Sequence, residues 1–150
     1  MSDLLHELVK HIPIPKMVRI RQKFDGTKLE DPIGELTRQL HSHDNYQAIR
    51  PGQKIAVAVG SRGISRIHEI TKATIDALIA KGAEPFIVPC MGSHGGATAE
   101  GQAKVLEHLG ISEATMGVPV RSSMEVVLLD RLPNGLPVYC DKIAAEEADA

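Results

Sequence analysis

The chain has 150 residues, 43% of them apolar and 24% charged, with a formal net charge of -2. That is enough for one domain with its own core. No Lys/Arg cluster of the kind that tracks a phosphate backbone is present, which argues against nucleic acid as a partner. No apolar run approaches the roughly 18 residues of a membrane span, and the start, Met1-Ser2-Asp3-Leu4-Leu5, lacks the basic and apolar regions of a signal peptide. Cys90 and Cys140 have no metal-ligand spacing and are too few for a disulfide framework. Together these features predict reduced thiols and a cytoplasmic protein that engages neither membrane nor nucleic acid.

Leu4, Leu5, Leu8, Val9 and Ile12 recur at helical spacing and predict an opening helix that stops at Pro13 and Pro15. Val18, Ile20 and Gln22 alternate with Arg19, Arg21 and Lys23, the pattern of a half-exposed strand. Asp31 followed by Pro32 predicts a capped helix with Ile33, Leu36 and Leu40 as its apolar stripe. It ends at the polar stretch His41-Ser42-His43-Asp44-Asn45.

After the turn at Pro51-Gly52, residues 54–59 form a short, almost wholly apolar run that suits a strand covered on both faces. The loop Gly60-Ser61-Arg62-Gly63 follows. Next comes a long helix with Ile64, Ile67, Ile70, Thr74, Ile75, Leu78 and Ile79 on one side and Gly82 as its terminating glycine. Residues 85–89 predict a second buried strand, which runs into Met91-Gly92-Ser93-His94-Gly95-Gly96. Thr98 is placed to cap the helix after that, with Glu100 in its first turn, Val105, Leu106 and Leu109 inside, and Gly110 at its end. Strand, glycine loop and helix, twice over, is the βαβ grammar of a parallel sheet. Strands over 124–129 and 136–140, joined by Pro133-Asn134-Gly135, predict a hairpin. The final residues, 141–150, read as a helix or an approach to one. The expected architecture is a single α/β domain over 1–150: a mostly parallel, Rossmann-like sheet flanked by helices, with a C-terminal β-hairpin.

In open α/β sheets, ligands bind beyond the carboxyl ends of the strands. Both glycine loops fall there, so Arg62 and His94 face one crevice if the two strands are neighbours. Two helix N-termini would add N–H groups, and a guanidinium grips both oxygens of a carboxylate. Histidine exchanges a proton near neutral pH, and glycines let a ligand approach the backbone. On spacing alone, His94 serves equally well as a loop residue that caps the next helix. Neither loop is a P-loop or a G-x-G-x-x-G fingerprint, and neither Ser61 nor Ser93 sits in a nucleophile elbow. His41 and His43 have the look of a metal pair, but alternate histidines in a polar linker are more often solvated. His6, His11, His68 and His108 fall on predicted helices or their ends, and Arg121 and Asp130 at the hairpin read as solvated charges.

The loop Gly60-Ser61-Arg62-Gly63-Ile64, with Met91-Gly92-Ser93-His94-Gly95-Gly96-Ala97-Thr98-Ala99-Glu100-Gly101 some thirty residues later, resembles the N-terminal half of the lactate racemase-like family. Gly135-Leu136-Pro137-Val138-Tyr139 and then Ala148-Asp149 are similar too, so the resemblance runs from about Pro51 to the end. It implies a nickel-pincer nucleotide that takes a hydride from the α-carbon of a 2-hydroxy acid and returns it to either face. Two opposed histidines exchange the hydroxyl proton. His94 matches the first histidine, Arg62 the arginine that holds the substrate carboxylate, and Val59, Gly60, Ser61 and Arg62 a segment lining the cofactor. The resemblance places the second histidine, the cofactor-bonded lysine and the nickel-binding histidine outside this chain. The chain would then be the N-terminal portion of a two-domain isomerase and inactive alone. Better-known racemases have Asp at the position of Val59 and Thr-Arg-Pro in place of Ser61-Arg62-Gly63, so the substrate need not be lactate. Two other functions stay open: a stand-alone module binding a small anionic metabolite, and a sugar-acid lyase or dehydratase using His94 as base.

Overall fold

The computed structural model describes Glu7, residues 10–13 and residues 16–150. Most of the expected opening helix, including Leu4, Leu5, Leu8 and Val9, lies outside the described residues. Eleven elements follow in order, beginning with α1 (Pro32–Ser42), α2 (Asp44–Gln47), β1 (Lys54–Val59), α3 (Ile67–Ala80) and β2 (Glu84–Pro89). A one-turn segment (His94–Ala97), α4 (Ala99–His108), α5 (Glu113–Met116), β3 (Val126–Arg131), β4 (Pro137–Asp141) and α6 (Lys142–Glu147) complete the chain.

The fold is mixed α/β, with two sheets of two strands each. β1 and β2 pair in parallel, Lys54 opposite Glu84 through to Val59 opposite Pro89, so the carboxyl ends of both strands finish side by side. β3 and β4 form the expected antiparallel hairpin, with an irregularity between Leu128 and Asp130. The expected sheet is wider than what is observed. Beyond β2 there is one parallel bridge, Ile87 with Val120, made by Ile87 N to Pro119 O and Arg121 N to Ile87 O. On the far edge of β1, Asp149 N donates to Lys54 O and Ala56 N donates to Ala150 O. Proline at 119 removes one donor from the first of these segments, which limits its ladder.

β2 is the central strand, with Pro85 to Val88 all buried. β1 is less covered: Lys54 and Ala58 are exposed, so only part of the expected two-sided burial is realised. The core joins Val59, Ile67, Ile75, Ile87, Met91, Leu106, Ile111, Met116 and Val118. Residues from both strands, from α3 and from α4 therefore share one cluster, and burying each aliphatic side chain contributes about 1.5–3 kcal/mol. The helix ends follow the capping signals. Asp31 Oδ1 accepts from Gly34 N with Pro32 at the first helical position, Gly82 at φ +80° closes α3, and Gly110 at φ +80° closes α4.

Two expectations need correction, and one further short helix was not expected. The segment with alternating Val18, Ile20 and Arg19, Arg21 forms no strand, and its apolar side chains are exposed. Alternation describes a strand that has a neighbouring strand, and none is hydrogen-bonded to it among the described residues. The polar stretch after α1 is not a plain linker. His43 Nδ1 accepts from Asn45 N to start α2, whose Tyr46 is buried and donates its hydroxyl to Ala77 O at 2.9 Å. His41 packs edge-on to the Tyr46 ring, and both histidines are solvent-exposed, as their polar setting predicts. The short helix α5, held by a capping box between Ser112 and Thr115, also went unforeseen.

Candidate active site

Two loops leave the adjacent ends of β1 and β2. Cys90 N donates to Val59 O at 2.8 Å, which ties the loops together at their roots. Val59 itself points into the core at 4% exposure, so only its backbone faces the loop region. Beyond this root, Ser61, Arg62 and His94 converge. Ser61 Oγ is hydrogen-bonded to His94 Nδ1, and Arg62 Nη2 lies 3.3 Å from His94 Nε2. The expected meeting of Arg62 and His94 is therefore observed, with Ser61 as a third member.

Donor chemistry settles how this trio is wired. A guanidinium has only N–H groups to offer. Nε2 must accept from Arg62, so in the neutral ring Nδ1 carries the proton and donates to Ser61 Oγ. Ser61 is thus an anchor for the ring. A serine nucleophile would need the opposite polarity, with its hydroxyl donating to an imidazole lone pair. Arg62 is exposed, and among the described residues no carboxylate pairs with it.

The His94 loop is built against the first turn of α4. Gly95, Gly96 and Ala97 all have left-handed backbones, at φ +64°, +70° and +54°. The segment is a left-handed turn, which two glycines permit and which strains the alanine. A Cβ on Gly95 would sit 2.3 Å from the Gly101 carbonyl carbon, and a Cβ on Gly101 would sit 1.7 Å from Gly95 O. The loop and helix therefore touch backbone to backbone. Two side chains lock the contact. Thr98 Oγ1 donates to Gly95 O at 3.2 Å and accepts from Gly101 N at 3.0 Å, closing the helix N-terminus. Gln102, 4% exposed, donates its amide to Gly92 O at 2.7 Å.

Gly101 and Gln102 were not anticipated as site residues. Their signal was a glycine and a buried amide inside the first turn of an otherwise ordinary helix, where neither is the natural choice. On the other loop, α3 begins at Arg66 with a left-handed φ of +59° and no side-chain cap, so its first amides keep free donors. Arg66 instead pairs with Glu69, whose carboxyl it holds below the usual range by hydrogen bonding. Beside the His94 loop lies a cavity of about 200 Å³ lined in part by Cys90, Gly92, Gln102, Ser123 and Met124. Cys90 and Cys140 are both free thiols. Among the described residues no group of three His, Cys, Asp or Glu side chains is placed to hold a metal, and no helix is long and apolar enough to cross a membrane.

Compared with known proteins, the chain matches no family model, no curated protein and no solved structure.

Proposed function

We propose that this chain forms one wall of a lactate racemase-like active site that racemises or epimerises a 2-hydroxy acid. The observation that carries the proposal is the approach of Arg62 to His94 across two loops at the ends of neighbouring parallel strands. Arg62 takes the substrate carboxylate through paired N–H donors, which draws the guanidinium off Nε2. The freed Nε2 lone pair takes the proton of the neighbouring 2-hydroxyl and later returns it. Ser61 keeps Nδ1 in place throughout, so the ring does not turn when it becomes charged. A bound nickel-pincer nucleotide would supply the hydride chemistry at the α-carbon.

The residues present fit part of that cofactor. A Cβ at Gly63, Gly92 or Gly96 would meet no atom within 4 Å, and one at Gly60 would meet only Cys90 O at 3.9 Å. Both loops thus offer open backbone to a flat ring or a phosphate, with the uncapped start of α3 nearby. Gly60, Ser61 and Arg62 would hold the organic portion, Val59 through its backbone alone. The metal ligands and the opposed histidine would come from a further domain of the same protein. The bridges flanking β1 and β2, at Val120 and at 149–150, support a wider Rossmann-like sheet. The free thiols support a cytoplasmic location.

The test is enantiomer interconversion over a panel of 2-hydroxy acids, with the full reading frame and its cofactor. His94→Ala should lower kcat by roughly 10²–10⁴, and Arg62→Ala should raise KM. A His94→Ala enzyme as fast as wild type overturns the proposal. Net loss of water from a sugar acid would replace it with a lyase, and tight anion binding by the chain without turnover with a binding module.

A further inference from the structure

We infer that residues 17–24 of one copy pair as an added strand with the β3–β4 hairpin of a second copy, making a reciprocally exchanged dimer. The segment has the chemistry of a strand and no sheet. Met17 is 93% exposed and Ile20 84%, with Val18 and Phe24 exposed as well. It lies in no helix or strand, and among the described residues no backbone hydrogen bond reaches it. An amphipathic strand of this kind leaves both its ladder groups and its apolar face to water.

The hairpin has the complementary deficit. It is a two-stranded sheet, so each strand has one open edge, and an isolated hairpin is marginal until a third strand or a covering layer joins it. Its apolar surface is also uncovered at Val126, Leu128, Leu129, Leu136 and Tyr139. The charges match. Residues 16–24 carry Lys16, Arg19, Arg21 and Lys23 with no acid, whereas 124–142 carry Glu125, Asp130 and Asp141 against Arg131 and Lys142, the latter paired with Glu125. Within one copy the segment and the hairpin stand unpaired. Two copies related by a two-fold axis give both segments and both hairpins a partner at once, and the exchange closes as a pair.

The experiment is light scattering and sedimentation on the 150-residue chain and on two variants, Ile20→Lys and Leu128→Lys. Wild type should run at twice the 16.2 kDa of one copy. Each variant should weaken the dimer by roughly 10²–10⁴-fold, because a buried aliphatic contact is lost at both symmetry-related interfaces. Circular dichroism should show both variants folded. A wild type monomeric at high concentration, open-ended oligomers, or variants as dimeric as wild type would each overturn the exchange.

Discussion

Replacing Gly101 with alanine should reverse the usual sign of a glycine-to-alanine change in a helix. Gly101 is the third residue of α4, where alanine ordinarily gains up to about 1 kcal/mol in helix propensity. Here the new Cβ would lie 1.7 Å from Gly95 O, so that carbonyl must withdraw by about 1.3 Å before the contact lengthens even to 3.0 Å. The clash is with backbone, and no side-chain rotamer relieves it. Overpacking of this kind costs about 1–3 kcal/mol. Set against a propensity gain of about 1 kcal/mol, the net loss is up to about 2 kcal/mol. For a chain of this length that corresponds to a fall in Tm of up to about 8 °C. Urea unfolding followed by circular dichroism measures the difference, and the loop shift should also change the environment of the His94 ring. A Gly101→Ala protein that gains about 1 kcal/mol, as an exposed helix glycine should, would refute the backbone contact between loop and helix.

Gln102→Leu should cost about 1 kcal/mol in the same assay and also displace His94, since Gly92 O loses its amide donor but is exposed enough for water to replace it. No loss of stability and an unchanged ring environment would remove Gln102 from the site. Ala97→Gly should be neutral or stabilise by up to about 1 kcal/mol, because relief of a left-handed alanine at φ +54° outweighs the added chain entropy. A clear destabilisation would contradict the turn geometry. Glu35 is held at about 2, below its ordinary 4.5, by hydrogen bonds from Arg38 and then Gln39. Its folded value is depressed, so its contribution to stability is present above pH 4.5 and is lost as pH falls towards 2. A carboxyl titration by NMR should show that midpoint in wild type and its return towards 4.5 in Arg38→Ala. A wild-type midpoint at 4.5 would contradict the pair.

Local chemistry made much of the fold legible in the sequence. Asp31-Pro32, Thr98, Gly82 and Gly110 mark helix ends through backbone rules that need no tertiary context. The apolar runs at 54–59 and 85–89, each followed by a glycine loop, gave the parallel pair and hence the approach of Arg62 to His94. What failed depended on partners. Alternation at Val18 and Ile20 says that a segment could be a strand and not whether anything pairs with it. Tyr46 anchors a helix that its polar neighbours conceal, because its burial depends on Ala77, thirty-one residues away. Ser61 as the anchor of Nδ1, and Gly101 as the floor of the loop, depend on distances between segments that spacing does not encode.

The central claim is that Ser61, His94 and Arg62 act as one carboxylate-binding, proton-moving unit. Nitrogen-15 NMR of the His94 ring tests it most directly, in the chain alone and with a 2-hydroxy carboxylate such as lactate added at millimolar concentration. The neutral ring should carry its proton on Nδ1, with Nε2 unprotonated. Added carboxylate should shift Nε2, and Arg62→Ala should abolish that shift. A ring protonated mainly at Nε2, or an Nε2 signal indifferent to the carboxylate, would contradict the account.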